Sequence, residues 1–133
     1  MKIFLPILFV AVIFCGCTKH DIVPPSIVGQ WELRDVINGS TGGDDAYTAG
    51  NGNLYQFNSD KTYSKFKNDT VLVTKGTYTV NPGGTTINRV IYNTITFDGN
   101  TAASQVIQVA NGNTLTLGLT INGGTMYLYA KVP

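Results

Sequence analysis

Residues 115–130 read Leu115-Thr116-Leu117-Gly118-Leu119-Thr120-Ile121-Asn122-Gly123-Gly124-Thr125-Met126-Tyr127-Leu128-Tyr129-Ala130. Asn122-Gly123 is a strong hairpin signal, because both central positions of a type I′ turn take positive φ and these two residues tolerate it. As a two-residue turn it sets Leu119 opposite Met126, Leu117 opposite Leu128 and Leu115 opposite Ala130. The apolar side chains then share one face, and the other face pairs Gly118 with Tyr127 and Thr116 with Tyr129. A slip of one residue would turn every side chain over, so this register decides which residues face the interior.

Two earlier hairpins are read the same way. A three-residue loop Ala110-Asn111-Gly112, with Gly112 in the left-handed position of a bulged turn, sets Ile107 against Leu115 and Val109 against Asn113. A three-residue loop Ser59-Asp60-Lys61 sets Phe57 against Tyr63, at the cost of a left-handed Lys61. Strand-like runs occupy about 28–36, 53–58, 61–67, 74–80, 87–97, 104–109, 113–120 and 125–132, divided by turn-forming residues. The long connection, 38–53, is rich in Gly, Asn and Asp and reads as a lid or a disordered loop. Short loops between successive strands make a meander, and eight strands can close into a barrel without sheet edges.

Composition agrees. The 133 residues contain 17 Thr, 15 Gly, 12 Asn and 7 Tyr, the mixture of strands joined by tight turns. Hydrophobic residues make up 43% and charged residues 13%, which argues against intrinsic disorder. A formal net charge of +1 gives no electrostatic case for nucleic acid.

The amino terminus carries a different signal. Met1-Lys2 is followed by an apolar run over 3–14, shorter than the roughly 20 residues a bilayer span needs. It suits the apolar core of a secretory signal. The run ends in Phe14-Cys15-Gly16-Cys17, which resembles a bacterial lipobox with Cys17 as the acylated residue. An ordinary cleaved signal and a buried N-terminal helix are the other readings. The organisation that follows is a lipoprotein signal peptide over 1–16, an acylated tether over 17–26 and a folded domain over 27–133. Both cysteines, Cys15 and Cys17, precede the folded domain, so the domain has no internal disulfide. Acyl chains on Cys17, palmitate among them, would hold the chain to a membrane. The outer membrane of a bacterial envelope is the expected one, with the domain facing periplasm or cell surface.

At Val28-Gly29-Gln30-Trp31-Glu32-Leu33 the sequence resembles lipocalins and their bacterial lipocalin-like relatives. Leu54-Tyr55-Gln56-Phe57-Asn58-Ser59-Asp60-Lys61-Thr62-Tyr63, Gly76-Thr77-Tyr78-Thr79-Val80, Asn113-Thr114-Leu115-Thr116-Leu117 and Tyr127-Leu128-Tyr129-Ala130-Lys131 extend the likeness to the small lipocalin-like lipoproteins of Bacteroidetes-type bacteria. The resemblance implies an all-β, antiparallel, up-and-down eight-stranded barrel of the calycin type with a cup-shaped interior. It implies that Trp31 packs across the closed end and that Gly29 allows its approach. A basic residue of the last strand often covers that ring; the register above turns Lys131 outward, so the role is not assigned. The Thr-Asp-Tyr signature of many lipocalins is absent.

The candidate ligand-lining residues are Leu33, Phe57, Tyr63, Leu115, Leu117, Leu119, Met126 and Leu128, with Trp31 and Ile107 also directed inward. Such a wall either accepts a small apolar ligand or simply fills the core. Catalytic groups are not expected. His20 is the lone histidine and lies in the tether, which removes a histidine-dependent triad and a Cys/His zinc site. Gly42-Gly43-Asp44-Asp45 resembles a nucleotide cyclase signature but has no helical surroundings. Asp44, Asp45, Asn51 and Asn53 offer oxygens at a spacing that fits no calcium loop. Glu32, Asp35 and Asp98 form no pair placed for glycosidase work. Neither cofactor nor metal is expected. Asp69-Thr70-Val71 resembles a short bacterial O-glycosylation motif, which makes Thr70 a candidate modification site. The resulting expectation is a membrane-anchored, non-catalytic binding module for a small apolar ligand. A structural or accessory subunit of an envelope complex, presenting Tyr127, Tyr129 and Thr116, is the alternative. An envelope enzyme acting on carbohydrate ranks below both.

Overall fold

The structure, a computed structural model, describes residues 24–133. The signal peptide, Cys17, His20 and most of the tether lie outside the described residues. Nine strands follow one another: β1 (Gly29–Asn38), β2 (Asp44–Ala46), β3 (Leu54–Phe57), β4 (Thr62–Lys67), β5 (Val71–Ile87), β6 (Val90–Phe97), β7 (Gln105–Ala110), β8 (Thr114–Gly118) and β9 (Thr125–Lys131). Apart from β2, each pairs antiparallel with the next, and β1 closes the ring by pairing with both β3 and β9. The fold is therefore an all-β, up-and-down, eight-stranded antiparallel barrel of lipocalin-like architecture. The three-residue β2 adds to β1 beside the ring. Closure satisfies the ladder hydrogen bonds that an open sheet would leave at its edges.

The inward faces build one core from all eight barrel strands. Trp31, Phe57, Tyr63, Tyr78, Ile95, Ile107, Leu115, Leu117 and Tyr129 form its buried centre, with Leu33, Tyr55, Val80, Phe97, Val109 and Tyr127 packed against it. Rings dominate one side. Tyr55 stacks on Phe57 and Phe97 at centroid separations of 5.2 and 6.0 Å, and Tyr63 meets Phe97 edge-on at 4.8 Å. Aromatic rings fill the width of an eight-stranded barrel with few rotatable bonds to immobilise.

The register of the last hairpin differs from the sequence expectation. Leu117 pairs with Tyr127, Leu115 with Tyr129 and Gly118 with Met126, one residue away from the two-residue-turn alignment. Asn122 and Gly123 do take positive φ, 56° and 80°. They sit, however, inside a longer connection with a 3-10 turn at Ile121–Gly123. Gly118 (φ 85°) ends β8 early, and the connection is tied sideways: Gly39 N–H donates to the Gly124 carbonyl at 2.8 Å, and Ser40 Oγ to the Gly123 carbonyl at 2.9 Å. The slip turns Tyr127 and Tyr129 inward and takes Met126 and Leu128 off the inner face. A face of leucines and a face of tyrosines are both apolar enough for a core, so hydrophobic pattern alone did not separate them.

The β7–β8 hairpin pairs Ile107 with Leu117, Val109 with Leu115 and Ala110 with Thr114. Its loop is Asn111-Gly112-Asn113, two positions of register from the expected alignment. A slip of two preserves the faces, so Ile107 and Leu115 stay inward. The β3–β4 hairpin has the expected register, Phe57 opposite Tyr63, with Lys61 left-handed at φ 68°.

β5 is longer than the run read at 74–80. It begins at Val71 and passes through Pro82-Gly83-Gly84, which reads as a strand breaker. The ladder with β6 shifts between Asn81 and Thr85, a bulge where proline owes no ladder hydrogen bond. Ile87 then pairs with Val90 across Asn88-Arg89, both left-handed at φ 50° and 66°. The expected 87–97 strand thus contains a tight turn at its start.

Candidate functional site

The two ends of the barrel differ. At one end, the chain arrives through Pro24 and Pro25, which lie with Ile27 and Val28 against Lys61, Tyr78 and Val80. Ile27 is buried there, and its carbonyl accepts a 2.7 Å hydrogen bond from the indole N–H of Trp31, which is itself fully buried. Lys131, the strand partner of Trp31, holds its ammonium 5.5 Å from the ring centroid. The one-residue slip of β9 brings Lys131 to the Trp31 side, against the outward position expected for it. Gly29 has φ 132°, and a Cβ there would meet Lys131 Cε at 3.2 Å. Gly29, Trp31 and Lys131 together with 24–28 close this end.

The opposite end, where β4 finishes and β3, β5 and β9 begin, is open and holds a pocket of about 440 Å³. Leu33, Tyr55 and Tyr129 form its inner wall, and Tyr47, Lys65, Lys67, Val73 and Tyr127 stand nearer the rim. This volume falls within the roughly 300–1,000 Å³ of small-ligand sites. Burial pushes the Tyr55 phenol up to about 12, with Tyr63 and Tyr127 adding to the effect. Burial pushes Tyr129 up as well, again reinforced by neighbouring tyrosines. Both phenols are protonated donors across the physiological range.

Of the ligand-lining residues expected from the sequence, Leu33 lines this pocket. Phe57, Tyr63, Leu115 and Leu117 are buried in the core below it. Leu119, Met126 and Leu128 are half-buried and are not among its walls. For Met126 and Leu128 the cause is the register slip; for Leu119 it is the early end of β8 at Gly118. The barrel is therefore filled at the level of Leu115 and Leu117 and open at the level of Leu33 and Tyr55. Tyr127 and Tyr129, expected on an outer interaction face with Thr116, are pocket walls instead. Strict alternation along Tyr63, Lys65 and Lys67 is the sequence signal that points to the lysines.

The 38–53 connection is pinned rather than loose. Glu32, 5% exposed, accepts from Gly50 N–H and Gly52 N–H at 3.1 Å each and from Arg34. Asn51 donates to the Leu33 and Thr48 carbonyls at 2.8 and 2.6 Å, and Leu33 N–H donates to the Asn53 carbonyl at 2.9 Å. These bonds fasten the connection along β1 and bring Tyr47 and Asn53 to the pocket. Asp44 and Asp45 instead lie on exposed β2, and among the described residues no three of His, Cys, Asp and Glu converge. Thr70 lies in the exposed turn between β4 and β5, its hydroxyl donating to the Asn68 carbonyl at 3.2 Å.

A second groove, about 580 Å³, crosses the outside of β5 and β6 over Asn81, Thr94, Thr96 and Ser104. Its hydroxyls bond one another, Thr96 Oγ1 to Ser104 Oγ at 2.8 Å. The fold and the mouth pocket define a class: a closed antiparallel barrel capped at one end and cupped at the other. Compared with known proteins, the chain matches no family model, no curated protein and no solved structure.

Proposed function

We propose that this chain is a membrane-anchored extracytoplasmic lipoprotein whose barrel is a non-catalytic binding module for a small apolar ligand. The observation that carries the reading is the mouth pocket. It joins an apolar and aromatic inner wall to a filled, rigid floor, the combination that pre-forms a site at little entropic cost. The lipobox-like Phe14-Cys15-Gly16-Cys17 supports anchoring through Cys17. Residues 24–28 meet the barrel at the Trp31 end, opposite the cup.

Native mass spectrometry of the protein isolated from its own membranes tests the binding reading directly. A retained small molecule, lost in a Val73→Trp variant that crowds the rim, is the expected result. Its absence alongside a stoichiometric co-purifying protein would favour the accessory-subunit reading. That second reading draws on Val71, Leu72, Val73, Val90 and Ile91, all between 48% and 57% exposed. For the anchor, Cys17→Ser should abolish acyl labelling and release the protein from membranes. The same loss in Cys15→Ser, with Cys17→Ser unaffected, would move the acylation site.

A further inference from the structure

We infer that the mouth pocket takes an amphipathic anion, a small molecule with an apolar body and one anionic end, received by Lys65 with Lys67 at the rim. This rests on the binding reading above and specifies its ligand. Lys65 is on the inner face: Trp31 pairs with Tyr55, Tyr55 pairs with Lys65, and Trp31 and Tyr55 both belong to the core. Lys65 is a half-buried residue, and a charge at a partly water-excluded site calls for a compensating partner. What it has is the face of Tyr55, 5.2 Å from its Nζ to the ring centroid. The ion pair among the described residues joins Arg34 to Glu32, on the other side of the β1 wall.

Among the described residues the lining contains two lysines and no carboxylate. Its other polar side chains are the phenols of Tyr47, Tyr55, Tyr127 and Tyr129 and the Asn53 amide. Tyr63 and Tyr78 give their phenol protons to Asp98 and to the Asn58 carbonyl. Among the described residues no such bond is made by Tyr55, Tyr127 or Tyr129, and none of their oxygens is a sealed orphan. The pocket therefore presents cations and free donors, and an anionic oxygen is the acceptor that satisfies both. Below them lie Leu33 and the ring faces of Tyr55 and Tyr129, which suit an apolar body. Two cations at one mouth, without an ion-pair partner among the described residues, also disfavour a cationic ligand.

Three isosteric probes separate the possibilities: 4-phenylbutyrate, 4-phenylbutan-1-ol and 4-phenylbutylammonium. Each is titrated calorimetrically into the full chain in non-ionic detergent, with detergent alone as blank. The butyrate should bind at least about tenfold more tightly than the alcohol, and the ammonium weakest. Lys65→Met should remove that preference and leave alcohol affinity unchanged, while Lys65→Arg keeps it. Val73→Trp, at an exposed rim position, should weaken butyrate and alcohol alike. Equal affinity for butyrate and alcohol overturns the anion inference and leaves the binding reading standing. Preference that survives the double variant Lys65→Met/Lys67→Met, or binding indifferent to Val73→Trp, overturns the assignment to this pocket. No binding by any probe overturns both readings.

Discussion

Lys131 and Trp31 are cross-strand partners, and the lysine ammonium lies over the indole ring at 5.5 Å from its centroid. The ring is fully buried, and its N–H is bonded to the Ile27 carbonyl. Three parts of the chain, the entry segment, β1 and the end of β9, thus meet on one side chain. Trp31→Ala should cost about 3–5 kcal/mol through lost contacts and the cavity left behind. Lys131→Met, at an exposed position, should cost about 0.5–1 kcal/mol. Denaturant titration reads both; a Trp31→Ala loss below about 1 kcal/mol would mean that the indole does not close the barrel.

A second contact depends on a missing side chain. Gly76 faces Tyr63 across β4–β5, and a Cβ there would lie 1.8 Å from Asp98 Oδ1. The Asp98 carboxylate fills that space, accepting the Tyr63 phenol at 3.0 Å and the Thr77 N–H at 2.8 Å. Gly76→Ala must expel it. The expected loss is about 1.5–3 kcal/mol, the scale of a hydrogen bond to a charged group. Asp98→Ala should cost a similar amount, and the double variant should fall well short of the sum. Full additivity would separate the two residues.

Much of this architecture was legible in the sequence because its decisive signals are local. Residues 59–61 have a loop length that fixes the Phe57–Tyr63 register, and Gly112 marks a turn whatever its partners. The misreadings occur where distant contacts set the outcome. Gly39 and Ser40 lie some eighty residues from Gly123 and Gly124, yet their hydrogen bonds help hold the connection that offsets β9 by one residue. That offset moved the pocket from Met126 and Leu128 to Tyr127 and Tyr129, and brought Lys131 to Trp31. The strand through Pro82 was hidden for a similar reason, since a bulge is defined by the partner strand. Lys65 and Lys67 alternate with Tyr63, but an inward lysine makes sense only once the mouth is known.

Leu117 distinguishes the filled level of the barrel from the open one. It is 2% exposed and packs within the core cluster, away from the pocket wall. Leu117→Phe should overpack this layer and cost about 1–3 kcal/mol while leaving probe affinity at the mouth unchanged. Thermal melts of this variant beside Val73→Trp should give opposite patterns, stability lost in the first and binding lost in the second. A Leu117→Phe variant that is fully stable yet binds nothing would put the ligand cavity at the leucine level.

Tyr55 sets an alkaline limit. Its phenol is raised from 10.0 to about 12 by burial first, then by Tyr63 and Tyr127. A folded value above the unfolded one means that the contribution to stability is complete below pH 10.0 and is lost as pH rises toward about 12. Tyrosinate absorbance at equilibrium should therefore show a late class of phenols whose ionisation coincides with loss of structure. Tyr55→Phe should shift that unfolding to higher pH; an unchanged midpoint would remove Tyr55 as a cause.

Glu32 sets the corresponding acid limit. Burial raises its carboxyl, but the Gly52 and Gly50 N–H groups and the Arg34 guanidinium together outweigh that and hold it below the ordinary 4.5. A folded value below the unfolded one contributes stability above pH 4.5 that is lost as pH falls through the folded value. Protonation there removes the charge and leaves one good acceptor oxygen for the two N–H groups that fasten 50–52 to β1, so the connection carrying Tyr47 and Asn53 should loosen along with the barrel wall. Glu32→Gln keeps the shape and one acceptor oxygen but removes the charge. It should lower stability at pH 7 by about 1–3 kcal/mol, the scale of hydrogen bonds to a charged group left incomplete. It should also flatten the acid side of the stability profile. Hydrogen exchange at Gly50 and Gly52 measured at pH 7 and pH 4 separates the local event from global unfolding. Faster exchange confined to these amides in Glu32→Gln is the expected signature, and exchange indistinguishable from the parent would show that the carboxylate does not hold the connection in place.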